Sequence, residues 1–96
     1  MAKLPHYNLF IAGAWGPGAG GQVMQSLNPA TGQPWASFDC AAASDVDRAV
    51  SAARGALDRP DWRDMTQTAR GKLLYRLADL VAGNAESLGR VETTDS

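Results

Sequence analysis

The chain has 96 residues, with nine Lys plus Arg against ten Asp plus Glu and a formal net charge of −1. That balance argues against nucleic acid as the main partner, no apolar run approaches the roughly twenty residues of a membrane span, and the N-terminus lacks a signal-peptide core. Leu, Ile, Val and Phe together fill only 17 positions, so the 45% hydrophobic content is carried largely by alanine, and the core is expected to be thin. The single Cys cannot form an internal disulfide, which makes a cytoplasmic location the default expectation.

In chain order, residues 1–6 read as a loose tail. Tyr7, Leu9 and Ile11 then alternate with Asn8 and Phe10, the period of a strand. Ala12-Gly13 suits a tight turn into a return strand at Ala14-Trp15. Residues 16–21, Gly-Pro-Gly-Ala-Gly-Gly, read as a flexible connection. Val23, Met24 and Leu27 mark a further extended segment, and Asn28-Pro29-Ala30-Thr31-Gly32 is a turn in which Asn opens, Pro sets φ and Gly exits left-handed. Pro34, Ala36, Phe38 and Cys40 share one face of the next strand.

The period changes at Ser44, which with Asp47 has capping-box spacing ahead of the stripe Val46, Ala49, Val50, Ala53 and Leu57. Pro60 ends this helix near Asp58, leaving Trp62 in a link. Thr66 caps a second helix bearing Leu73, Leu74, Leu77, Leu80 and Val81. Gly83 stops it, and Asn84 caps a third in which Glu86 and Arg90 pair at i,i+4 while Leu88 and Val91 face inward. The last residues carry no stop signal, so this helix reads as cut short. Strands followed by helices, taken alone, indicate α+β. The expected division is a tail at 1–6, a β-hairpin and extended segments at 7–43, and a helical segment at 44–96.

Residues that invite a chemical role are few. Gly16, Gly18 and Gly21 satisfy G-x-G-x-x-G, but a strand rather than a helix is expected to follow, so the phosphate cradle lacks its helix N-terminus. Cys40 has no activating base nearby in sequence, the lone histidine being His6 in the tail, and reads as a packing residue. One Cys and one His cannot complete a structural zinc tetrahedron. Trp15, Trp35 and Trp62 read as anchors of turns and links, and Arg70, Lys72, Arg76 and Arg90 as a solvated face.

Six stretches together resemble the N-terminal segment of an NAD(P)-dependent aldehyde dehydrogenase. They are Leu9-Phe10-Ile11-x-Gly13-x-Trp15, Asn28-Pro29-Ala30-Thr31-Gly32, and Asp45-Val46-Asp47-Arg48-Ala49-Val50-x-Ala52-Ala53-Arg54. Trp62-Arg63, Leu73-Leu74-x-Arg76-Leu77-Ala78-Asp79-Leu80 and Glu92-Thr93-x-Asp95 complete the set. Ala12 stands where the family often has Asn. The resemblance implies an α/β fold, the N-terminal part of a Rossmann-like subunit, locally a β-hairpin or meander followed by three helices that form the outer part of an incomplete cofactor domain.

It also implies aldehyde oxidation to carboxylic acids with NAD or NADP through a Cys thioester, in a homodimer or homotetramer. The reacting residues are expected downstream of Ser96, so this chain supplies no catalytic or cofactor-binding residue. Some family members bind a monovalent cation, K+ or Na+, and the matching positions here are Ser26, Leu27 and Asp95. The alternative for Asp95 is a hydrogen bond to the neighbouring loop. Two other readings compete: a stand-alone, non-catalytic interaction module on the same scaffold, and a CoA-acylating semialdehyde dehydrogenase.

Overall fold

The computed structural model describes residues 3–96. Five strands precede four helices: β1 (His6–Tyr7), β2 (Leu9–Ile11), β3 (Ala14–Gly16), β4 (Val23–Leu27), β5 (Pro34–Asp39), α1 (Ala43–Asp58), α2 (Pro60–Arg63), α3 (Gln67–Gly83) and α4 (Ala85–Asp95). The β2–β3 hairpin stands as its own two-stranded sheet, and the other three strands form a sheet in the order β1-β5-β4. In that sheet β4 runs antiparallel to β5, whereas β1 pairs parallel to it, placing His6 opposite Ser37.

Local chemistry accounts for the turns. At the β2–β3 turn both Ala12 and Gly13 take positive φ, 54° and 78°, the backbone of a two-residue primed turn whose twist matches that of the strands. In the β4–β5 turn Asn28 Oδ1 accepts the Ala30 N–H at 2.9 Å, and the Gly32 N–H donates to the Asn28 carbonyl at 2.7 Å with Gly32 at φ 70°. The Thr66 hydroxyl oxygen accepts from Ala69 N–H at 3.1 Å and caps α3, as its position in the sequence leads one to expect.

Four expectations are corrected. His6 does not belong to a tail: it lies in β1, held by the Ser37 N–H donating to the Pro5 carbonyl at 2.9 Å and by its own side chain. Residues 1 and 2 of the expected tail lie outside the described residues. The link containing Trp62 is a one-turn helix with Pro60 in its first turn, so the helices number four rather than three. Helix α1 starts one residue before Ser44, with Ala42 at the cap and Asp45, not Asp47, closing it: Asp45 Oδ2 accepts the Ala42 N–H at 2.8 Å. Asn84 stands at the N-cap of α4, its carbonyl accepting the Leu88 N–H at 3.0 Å, but its side chain reaches back rather than forward, Nδ2 donating to the Leu80 carbonyl at 2.8 Å at the end of α3.

The glycine connection is pinned rather than loose. Asp45, with none of its surface exposed, also accepts the Ala19 N–H at 2.9 Å, and Arg48 Nη2 donates to its other oxygen at 2.7 Å. Gly18 sits under this clasp, where a Cβ would run into the Cys40 carbonyl oxygen. Three donors on one carboxylate hold it ionised, its pKa lowered to about 2, chiefly by the Ala19 N–H, then by Arg48 and the Ala42 N–H.

The core is as thin as the composition implies. Ala36 is the one buried hydrophobic residue among the described residues, while Leu74 is 67% exposed and Leu77, Leu80, Val46 and Val50 are more than half exposed. The radius of gyration is 17.2 Å, against about 12 Å for a compact chain of this length. The accessible surface is 7699 Å², against about 5,300 Å² for a compact monomer of this mass. The apolar stripes of α1, α3 and α4 exist as the periodicity requires, but nothing within the described residues covers them.

Candidate functional site

Two side-chain clusters flank β5. The first joins β4, β5 and the end of α4. Ser26 Oγ donates to Asp95 Oδ1, and Trp35 Nε1 donates to the same oxygen at 3.0 Å. These bonds, Ser26 first and Trp35 second, hold the Asp95 carboxyl below the ordinary carboxylate range against partial desolvation. The pair sits at one edge of an open, mostly apolar pocket of about 400 Å³ whose walls include Tyr7, Trp35, Phe38 and Val91.

The structure therefore brings Ser26 and Asp95 together, 69 residues apart in sequence. Leu27 pairs with Pro34 at an irregularity in the ladder and does not line the pocket. The hydrogen bonds that Asp95 accepts come from strands, Ser26 of β4 and Trp35 of β5, and not from the neighbouring loop named in the alternative reading. Among the described residues no group of three or more His, Cys, Asp or Glu side chains converges on one point.

The second cluster is one the sequence reading passed over. His6 Nδ1 lies 2.7 Å from Ser37 Oγ, and His6 Nε2 lies 3.0 Å from Asp39 Oδ1. An ionised carboxylate only accepts, so in the neutral form of the ring the proton sits on Nε2 and Nδ1 accepts the Ser37 hydroxyl proton. The Asp39 side chain is 9% exposed, and its Oδ2 is buried without a hydrogen-bond partner. The only available sequence signal was the period-two spacing of Ser37 and Asp39 on β5. The parallel pairing that delivers His6 to them has no local signature.

The remaining candidates behave as packing residues. Cys40 is a half-buried free thiol whose backbone N–H bonds the Gln22 carbonyl at 2.8 Å. The glycines at 16, 18 and 21 lead into β4, not a helix, so the dinucleotide cradle lacks the dipole it requires. Arg70 stacks over Trp62, 5.1 Å from the ring centroid, and donates to the Trp62 carbonyl at 3.2 Å.

A small sheet followed by helices whose apolar stripes lie open is the architecture of one part of a larger α/β subunit. The aldehyde dehydrogenase family matches residues 15–96, and the chain belongs to that family as an N-terminal segment. It is 43% identical over 93 residues to the (Z)-2-((N-methylformamido)methylene)-5-hydroxybutyrolactone dehydrogenase of Acinetobacter baylyi, covering 97% of this chain and 19% of that protein. The NAD+ complex of an aldehyde dehydrogenase from Bacillus cereus matches with a TM-score of 0.89 at 37% identity, covering 94% of this chain and 18% of that one. The NAD-dependent aldehyde dehydrogenase of Sinorhizobium meliloti matches with a TM-score of 0.87 at 29% identity, covering 96% and 18%. NAD is thus a cofactor within the family. The chain spans about a fifth of the length of each of these relatives.

Proposed function

We propose that this chain is the N-terminal part of an NAD(P)-dependent aldehyde dehydrogenase subunit that oxidises aldehydes to carboxylic acids through a Cys thioester. The reacting Cys and the cofactor-binding groups are supplied by downstream polypeptide. The role of this segment is to buttress the cofactor domain, with the stripes of α1, α3 and α4 packed against that polypeptide. The observation that carries the reading is the surface excess: 7699 Å² where a compact monomer exposes about 5,300 Å². That surplus is of the size an obligate interface buries.

The experiment is to assay NADH formation with short aldehydes in two samples, the full reading frame and residues 1–96 alone. Activity in the first and none in the second is expected. Turnover by the purified 96-residue chain would overturn the proposal, as would a full reading frame inert toward every aldehyde with both NAD+ and NADP+. A cytoplasmic location and a homodimer or homotetramer belong to the same proposal.

For a monovalent cation, K+ or Na+, this chain offers Ser26 Oγ and the Asp95 carboxylate, hard oxygens of the right kind. Asp95 Oδ1 already takes two donors, so Oδ2 is the atom left for a cation, and Leu27 offers only its carbonyl. Replacing K+ and Na+ by choline should lower the melting temperature of the full-length protein, and Asp95→Asn should abolish that response. An identical melt in all three salts would remove the cation from the proposal.

A further inference from the structure

We propose that Ser37 is an acylatable serine, with His6 as its general base and Asp39 as the residue that positions the imidazole, and that it accepts acyl groups from activated esters. The three side chains form one hydrogen-bonded line: Ser37 Oγ to His6 Nδ1 at 2.7 Å, and His6 Nε2 to Asp39 Oδ1 at 3.0 Å. This is the order nucleophile, base, orienting carboxylate that activates a hydroxyl, with the two ring nitrogens exchanged relative to the familiar serine triad. The exchange is chemically neutral, because either nitrogen serves as base once the other is held protonated.

Burial is graded along the line. The Asp39 side chain is 9% exposed and one of its oxygens has no partner, whereas the His6 side chain is 38% exposed. A sheltered carboxylate fixes the tautomer, and among the described residues an open imidazole edge beside a half-buried serine leaves room for an ester. The cross-strand neighbours on β4, Gln25 opposite Ser37 and Val23 opposite Asp39, are exposed and do not close over the site.

In the step itself Ser37 Oγ attacks the ester carbon and its proton passes to His6 Nδ1. The new C–Oγ bond forms as the bond between the acyl carbon and the phenolic oxygen breaks, and the departing phenolate takes up a proton from the imidazolium or solvent. The Ser37 N–H, the amide best placed to stabilise the oxyanion, is already donated to the Pro5 carbonyl at 2.9 Å. Without that donor neither acylation nor deacylation gains oxyanion stabilisation, so acylation relies on the good leaving group of an activated ester, and the resulting serine ester, with a poor leaving group, persists.

The experiment is to incubate the full-length protein with p-nitrophenyl acetate and map the acetylated residue by peptide mass spectrometry, which separates Ser37 from any reactive thiol elsewhere. An acetyl ester on Ser37 is expected, absent in Ser37→Ala and formed on the order of 10²-fold more slowly in His6→Gln. Asp39→Asn should slow acylation while hydrogen exchange at the Ser37 amide stays protected, which separates positioning the ring from holding the strand. No adduct on Ser37 in the folded wild-type protein overturns the proposal, as does acylation at the same rate after urea denaturation or an unchanged rate in His6→Gln.

Discussion

Asp45 in the first turn of α1 and Ala19 in the glycine connection are joined by a 2.9 Å hydrogen bond that spans 26 residues of sequence. One carboxylate thereby closes the N-terminus of a helix and fixes a loop that has almost no side chains of its own. Its third donor, Arg48, comes from the next turn of the same helix.

This clasp sets a pH dependence. The folded-state pKa of Asp45 is lowered to about 2, so its contribution to stability is complete above the ordinary Asp range, near 4, and is lost as pH falls through about 2. Thermal melts of the intact protein should show a steep decline between those limits. Asp45→Asn should lower the melting temperature at neutral pH and flatten that decline; an unaltered acid profile in the variant would show that other carboxylates set it.

Gly18 and Gly20 belong to one loop and should respond differently to alanine. A Cβ at Gly18 meets the Cys40 carbonyl oxygen, whereas at Gly20 the nearest atom is the Ala42 Cβ at 3.9 Å. Overpacking of this kind costs about 1–3 kcal/mol. Gly18→Ala should therefore destabilise by that amount in a denaturant titration, with Gly20→Ala close to wild type.

Ala12 carries φ of 54°, a left-handed conformation that costs a residue with a Cβ roughly 1–2 kcal/mol. Asn tolerates this region and favours the primed turn. Ala12→Asn should raise stability by about 1 kcal/mol, read as a shift of the urea midpoint with an unchanged slope.

The Thr66 cap gives a fourth measurable. Thr66→Ala removes the acceptor of the Ala69 N–H and should cost about 1 kcal/mol, with Thr66→Ser restoring most of it. Equal stability of the Ala and Ser variants would mean that water replaces the cap.

Where the chain satisfies itself locally, the sequence was legible. The Asn28 turn, the Thr66 cap, the end of α1 before Pro60 and the Glu86–Arg90 pair at 2.5 Å each depend on residues fewer than six positions apart. The cap of α1 was misplaced because Asp45 was chosen by a distant loop as well as by its own helix. Of the candidate cation residues, Ser26 and Asp95 were brought together where the end of α4 reaches β4 and β5, and Leu27 was turned elsewhere by the ladder irregularity.

Sequence by itself determined the segments, their turns and the apolar stripes, because period and backbone preference act over a few residues. It also determined the family, through six short stretches in register. Tertiary structure alone decided that His6 joins Ser37 and Asp39 and that Asp45 clasps the glycine loop. Each of these depends on surfaces far apart in the chain meeting, and no local pattern encodes the free energy of that encounter.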